Sequence, residues 1–128
     1  MNGIPLRMTR LTVGYDRFDV VVVPFPFTDS AASKRRPALV LSNAAEFNLP
    51  AGHSVMAMIT SAENSTWPLD ALISDSSAAG LTAASLVRMK LFTLDNRYVL
   101  RRIGQLAATD RKAVEVSLMA LLTESREP

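Results

Sequence analysis

The sequence has no cysteine and a single histidine, His53. No disulfide framework, thiolate zinc site, iron–sulfur cluster or cysteine nucleophile can be built from it, and no two histidines can share a metal. Tryptophan occurs once, as Trp67. Long apolar runs are also missing. The longest stretch without a formal charge, Phe47–Ala62, is broken by Pro50 and Gly52, so no transmembrane helix fits. The first residues carry Arg7, Arg10, Asp16 and Arg17 and no continuous apolar segment, so no signal peptide is read. The expectation is a soluble, cytoplasmic protein without a metal or cofactor. What is present is ordinary globular material: 128 residues, 48% hydrophobic and 20% charged. That is enough for one domain with one core.

The net charge of +2 conceals a strong pattern. Residues 1–36 hold six basic and three acidic groups, 37–85 none and four, 86–112 seven and two, and 113–128 one and three. Two basic blocks flank an acidic middle. If folding brings the blocks together they form a cationic face that attracts polyanions by counterion release; kept apart, they are solvated surface charge.

The hydrophobic pattern predicts mostly strands. Residues 1–15 lack periodicity and read as a flexible tail in which Met8 is an alternative start. Val20–Val23 is a β-branched run ending, or lying on an edge, at Pro24 and Pro26. A polar loop covers Thr28–Arg36. Pro37–Ser42, Ser54–Thr60, an edge strand Trp67–Ser74, Ser85–Leu94 and a shorter Tyr98–Leu106 follow, with one helical turn in Asn43–Leu49 and a turn at Ala79–Gly80. In Ser85–Leu94, Leu86, Arg88, Lys90 and Phe92 alternate with Val87, Met89 and Leu91. From Thr109, read as N-cap with Asp110 in the first turn, Val114, Leu118, Leu121 and Leu122 mark one face of an amphipathic helix. Short strands and one terminal helix give a mainly β fold, a small barrel with a C-terminal helix.

The segment Asp19–Asn43, DVVVVPFPFTDSAASKRRPALVLSN, carries more. It resembles the opening of the MazF/PemK family of toxin endoribonucleases: an Asp-led hydrophobic strand, Phe-Pro, a polar loop, then Arg-Pro leading a hydrophobic strand that ends in Ser. Ile59-Thr60-Ser61, Trp67-Pro68, Gly80-Leu81, Ser85-Leu86-Val87-Arg88, Lys90–Leu94 and Arg102–Leu106 continue the family's order over roughly residues 16–122. The resemblance implies an SH3-like barrel of the MazF/CcdB type as a single domain over 16–124, and a homodimer with single-stranded RNA along a groove made by both copies. It also implies a cognate antitoxin whose acidic, disordered segment blocks that groove, with operator DNA bound only through the antitoxin.

The resemblance carries two catalytic positions onto this chain, Arg36 and Thr60. It implies cleavage without a metal, by attack of the substrate's own 2′-OH, leaving 2′,3′-cyclic phosphate and 5′-OH ends. Such a reaction asks the protein to stabilise charge on the phosphorane oxygens and to hold the 2′-OH in line. Arg36 suits the first task, because guanidinium is planar, bidentate and always charged. It can also donate a proton to the leaving 5′ oxygen, but the general base is unassigned. Thr60 can donate its hydroxyl to the same phosphate. Without the resemblance, Arg36 reads first as a surface arginine on a basic loop and Thr60 as a strand-end threonine bonding backbone.

Candidate RNA contacts are Phe27, Asp29, Lys34, Arg35, Ser61, Trp67, Arg88 and Lys90. Phe27 and Trp67 can stack bases or simply pack. Two departures from the family stand out. The loop before Arg36 lacks the glutamate several members carry, leaving only Asp29, and Phe18 stands where the family usually has glycine, which reads as a packing change. Histidine is the commonest general base, but His53 maps onto no catalytic position. Two other functions stay open: a CcdB-like toxin that binds gyrase without cutting RNA, and a nucleic-acid-binding barrel with a decayed site.

Overall fold

In the computed structural model, residues 14–26 and 34–125 are described. The expected tail lies outside them up to residue 13, and so do Phe27 and Asp29. Six strands form one antiparallel sheet: β1 (Asp19–Phe25), β2 (Lys34–Val40), β3 (His53–Ser61), β4 (Ala71–Leu72), β5 (Ser85–Asp95) and β6 (Arg101–Gln105). The spatial order is β4-β5-β3-β2-β1-β6, and the sheet curls into a half-barrel. A π-helical turn (Ala44–Asn48) runs into α1 (Leu49–Ala51) between β2 and β3. A one-turn helix, α2 (Ser76–Ala79), follows β4, and α3 (Ala108–Leu122) ends the described chain.

Strand parity sorts the core into two layers. On one face Val20, Leu39, Ala57, Ile59 and Val87 pack with Phe18, Leu106 and Val114 of α3. On the other Val21, Val23, Ala38, Val40, Met56 and Leu94 pack with Val99, Tyr15 and Phe92. The helix therefore seals the first face. The second is covered by apolar residues at the Tyr15 and Val99 end, while its continuation on β1, β2, β3 and β5 carries Phe25, Arg36, Thr60 and Arg88.

Several expected boundaries move for identifiable reasons. β1 passes through Pro24 to Phe25, because β6 pairs with it only as far as Val22, so beyond that point Pro24 has one strand neighbour and needs no second ladder bond. The expected strand Trp67–Ser74 shrinks to Ala71–Leu72, an edge as expected, because residues 67–70 form a turn with Leu69 at φ 67°. The expected Tyr98–Leu106 strand starts at Arg101, after a 3-10 turn at Asn96–Tyr98.

Thr109 is not the helix cap. Ala107 holds that position with extended backbone and no side-chain bond. Asp110 lies in the first turn as expected, and there it is buried and accepts Ser74 N–H (2.9 Å), Ser74 Oγ–H (2.7 Å) and Asp75 N–H (3.0 Å). Burial pushes its carboxyl pKa up, but those three bonds outweigh it and leave it below the usual value. Of the expected apolar helix face, Val114 is buried while Leu121 and Leu122 are exposed.

Phe18 adopts φ 74°, a left-handed conformation natural to glycine. Its ring is nonetheless buried in the core and flanked by the guanidinium groups of Arg17 (4.8 Å) and Arg111 (5.5 Å). Ring burial of about 2 kcal/mol offsets a backbone strain of about 1 kcal/mol.

Candidate active site

The β2–β3 ladder ends with Ala38 opposite Met58, and Arg36 and Thr60 lie two residues beyond that pair on their strands, with its parity. Both then point from the second face, past the end of its apolar layer. They share a cleft of about 220 Å³ with Phe25, Met58, Ile59, Trp67, Arg88 and Lys90. Arg36 is exposed, its Cζ 6.0 Å from the centroid of the Phe25 ring. Thr60 Oγ1 accepts a hydrogen bond from Asn64 Nδ2 at 2.6 Å, which leaves its own hydroxyl proton available to a ligand.

The opposite wall is the segment between β3 and β4, and Arg88 fastens it. The Arg88 guanidinium is buried and forks onto Asp70, Nε to Oδ1 at 3.1 Å and Nη2 to Oδ2 at 2.9 Å. It also donates to the Ser65 carbonyl at 2.5 Å and lies 4.9 Å from the centroid of Trp67. Asp70 Oδ2 in turn accepts the Trp67 N–H at 2.8 Å, closing the Trp67–Asp70 turn in which Leu69 sits at positive φ. The Arg88 side chain holds the Asp70 carboxyl below the usual carboxylate range, and Asp70 raises the pKa of Arg88. The pair is thus locked in its charged form and neutralises itself. Lys90 Nζ, exposed, lies 5.9 Å from the same indole.

Of the residues singled out in the sequence, the cleft brings together Arg36, Thr60, Trp67, Arg88 and Lys90. It does not include Lys34, Arg35 or Ser61 among its lining. Lys34, across from Phe25, shares the parity of Arg36 and flanks the cleft, whereas Arg35, across from Pro24, has the opposite parity. The Ser61 hydroxyl accepts the Glu63 N–H at 3.1 Å, shaping the turn that follows β3. His53 opens β3, seven residues or about 23 Å from Thr60, and its Nδ1 lies 3.0 Å from the Ala51 carbonyl.

Sequence reasoning missed Asn64 and Asp70. Their partners lie four positions away, across a turn, and eighteen positions away, beyond β4 and α2, and neither strand nor helix periodicity signals such a pairing. Among the described residues lining the cleft there is no carboxylate or imidazole. Among the described residues, no three of His, Cys, Asp and Glu gather as a ligand set.

An antiparallel half-barrel with a cationic cleft at one end and a C-terminal helix is the architecture of the small MazF-like toxins. Residues 16–122 match the family model of the PemK-like, MazF-like toxin of type II toxin–antitoxin systems. The chain belongs to that family. Solved structures agree on the fold. A MazE–MazF complex from Deinococcus radiodurans shares 25% identity at a TM-score of 0.67, covering 87% of this chain and 98% of that one. The Mycobacterium tuberculosis toxin MazF-mt6 shares 20% at 0.62, covering 80% and 93%. A mycobacterial endoribonuclease in complex with its cognate antitoxin shares 16% at 0.67, covering 87% and 99%. No curated protein matches the sequence. No helix among the described residues is long and apolar enough to cross a membrane.

Proposed function

We propose that this chain is a sequence-specific, metal-independent endoribonuclease and the toxin of a type II toxin–antitoxin pair. The observation that carries the proposal is the placement of Arg36 and Thr60 on one open cleft, with Trp67 and Lys90 beside them. Single-stranded RNA lies with one phosphate between Arg36 and Thr60 and a neighbouring base against the indole. The 2′ oxygen attacks phosphorus and the bond to the 5′ oxygen breaks, giving a 2′,3′-cyclic phosphate and a 5′-OH. One proton leaves the 2′-OH and one reaches the 5′ oxygen. Arg36 meets the negative charge that builds on the non-bridging oxygens, and Thr60 donates its hydroxyl to one of them. Such preorganised donors typically contribute about 10²–10³ in rate each. Arg88, already committed to Asp70, serves by holding the cleft wall.

The partner is an antitoxin with an acidic segment that folds into the cationic cleft and excludes RNA. The toxin acts as a homodimer; the exposed apolar residues Val116, Met119 and Leu122 on α3 give a second copy surface to cover. The test is incubation of the purified protein with long single-stranded RNA and, separately, with gyrase and plasmid DNA. Discrete RNA cuts support the proposal. Intact RNA with trapped gyrase–DNA complexes would favour a CcdB-like toxin, and salt-dependent RNA binding without products a decayed site.

A further inference from the structure

Asn64 is exposed, yet its amide is not free to wander. Its own N–H donates to the Ser61 carbonyl at 3.1 Å, the preceding Glu63 N–H is held by Ser61 Oγ, and the following Ser65 carbonyl accepts from Arg88. The Ala62 N–H is tied to the Ala84 carbonyl at 3.0 Å. The backbone on both sides of Asn64 is therefore fastened to the rigid sheet, and from that position its Nδ2 reaches Thr60 Oγ1 at 2.6 Å.

The chemistry of that contact is directional. A threonine hydroxyl has one proton and two lone pairs, and rotates to suit its neighbours. A strand-end threonine left to itself can turn the proton back onto local carbonyls. An amide N–H held against the oxygen occupies a lone pair and leaves the proton to be given elsewhere, and Thr60 borders the cleft. Accepting a hydrogen bond also polarises the hydroxyl and makes it a stronger donor.

We infer that Asn64 is a positioning residue that aims the Thr60 hydroxyl proton into the cleft. The inference rests on the ribonuclease reading above. In that setting Asn64 touches neither the phosphate nor the 2′-OH; it fixes which way Thr60 donates. Arg88 contributes at one remove, by clamping the Ser65 carbonyl next to Asn64.

The test uses the full chain as wild type, Asn64→Ala, Thr60→Ala and the double variant, with a short RNA containing one mapped cleavage site. Asn64→Ala should lower kcat about five- to tenfold, the effect of one hydrogen bond, with KM essentially unchanged. In the Thr60→Ala background the same change should cost nothing further. Asn64→Asp keeps the shape but can only accept, so it draws the Thr60 proton away from the cleft, and its kcat should fall below that of Asn64→Ala. If Asn64→Ala folds poorly, Asn64→Asp carries the comparison. A wild-type kcat in either variant overturns the inference. So does a loss that persists without Thr60, or one confined to KM, since each would mean that Asn64 meets RNA directly or does nothing. Intact RNA with wild type itself would instead refute the ribonuclease reading on which the inference stands.

Discussion

Salt dependence separates the cations that face RNA from those that hold the fold. Among the described residues, Lys34, Arg36 and Lys90 are the exposed cations on the cleft side of the sheet that form no ion pair with another described residue. Arg88 is nearer the centre but its charge is cancelled by Asp70 at 2.9 Å. Each phosphate neutralised on a single strand contributes about −0.7 to the slope of log K against log salt, so three cations give about −2, or roughly a twentyfold loss between 50 and 200 mM. Lys34→Gln or Lys90→Gln should each flatten the slope by about 0.7. Arg35→Gln, on the opposite face, should change it less. Replacing the pair together, as Asp70→Asn with Arg88→Gln, should leave the slope unchanged while slowing turnover, because the wall carrying Trp67 loosens. The assay is fluorescence anisotropy with a short 2′-O-methyl RNA, which binds but lacks the attacking hydroxyl. A slope near zero for wild type, or a flattening on loss of the Asp70–Arg88 pair that matches the loss of Lys90, would refute the reasoning.

Other perturbations test the frame around the site. Asp110→Asn should destabilise by about 2 kcal/mol, a drop in Tm of about 8 °C, because one carboxylate accepts three donors from Ser74 and Asp75. The folded pKa of Asp110 lies below its unfolded value. Its contribution is therefore complete above pH about 4 and is lost as pH falls through the folded value, so the melting curves of variant and wild type should converge in acid. Gly104→Ala should cost about 2–3 kcal/mol in thermal unfolding, since a Cβ there would stand 2.5 Å from the Ala78 carbonyl oxygen and 2.6 Å from that of Ala79, forcing β6 from α2. His53→Ala should leave RNA cleavage at the wild-type rate; a large loss would bring a distant imidazole into the reaction and contradict the geometry.

How far the sequence could be read depended on the range of the interactions involved. β1 is visible as a β-branched run, β2 and β3 as short apolar segments and β5 by its alternation, all of them local signals. The order of the sheet is not visible, because it depends on pairings such as His53 with Asp95. α2 carries a local signal of its own, of which only the turn at Ala79–Gly80 is read: Asp75 caps the helix by accepting the Ala78 N–H, and Gly80 ends it at φ 73°. Thr109 misled because a residue suited to capping is not a cap unless the chain turns there. Phe18 shows the reverse case, a backbone that calls for glycine filled by a ring that packs well enough to tolerate the strain. At the site, Arg36 and Thr60 were found through family likeness alone. That they line one cleft depends on how β2 and β3 pair, and the Asp70–Arg88–Trp67 wall depends on a turn that no periodicity announces.

The most direct test of the central claim is to incubate wild type and Arg36→Ala with long single-stranded RNA in excess EDTA and to map the product ends. The account predicts discrete cuts bearing 2′,3′-cyclic phosphate and 5′-OH ends with wild type. It predicts no cuts with Arg36→Ala, whose thermal stability should stay within about 1 kcal/mol because the residue is exposed. Equal cleavage by the two proteins, cleavage that EDTA abolishes, or 5′-phosphate ends would contradict it.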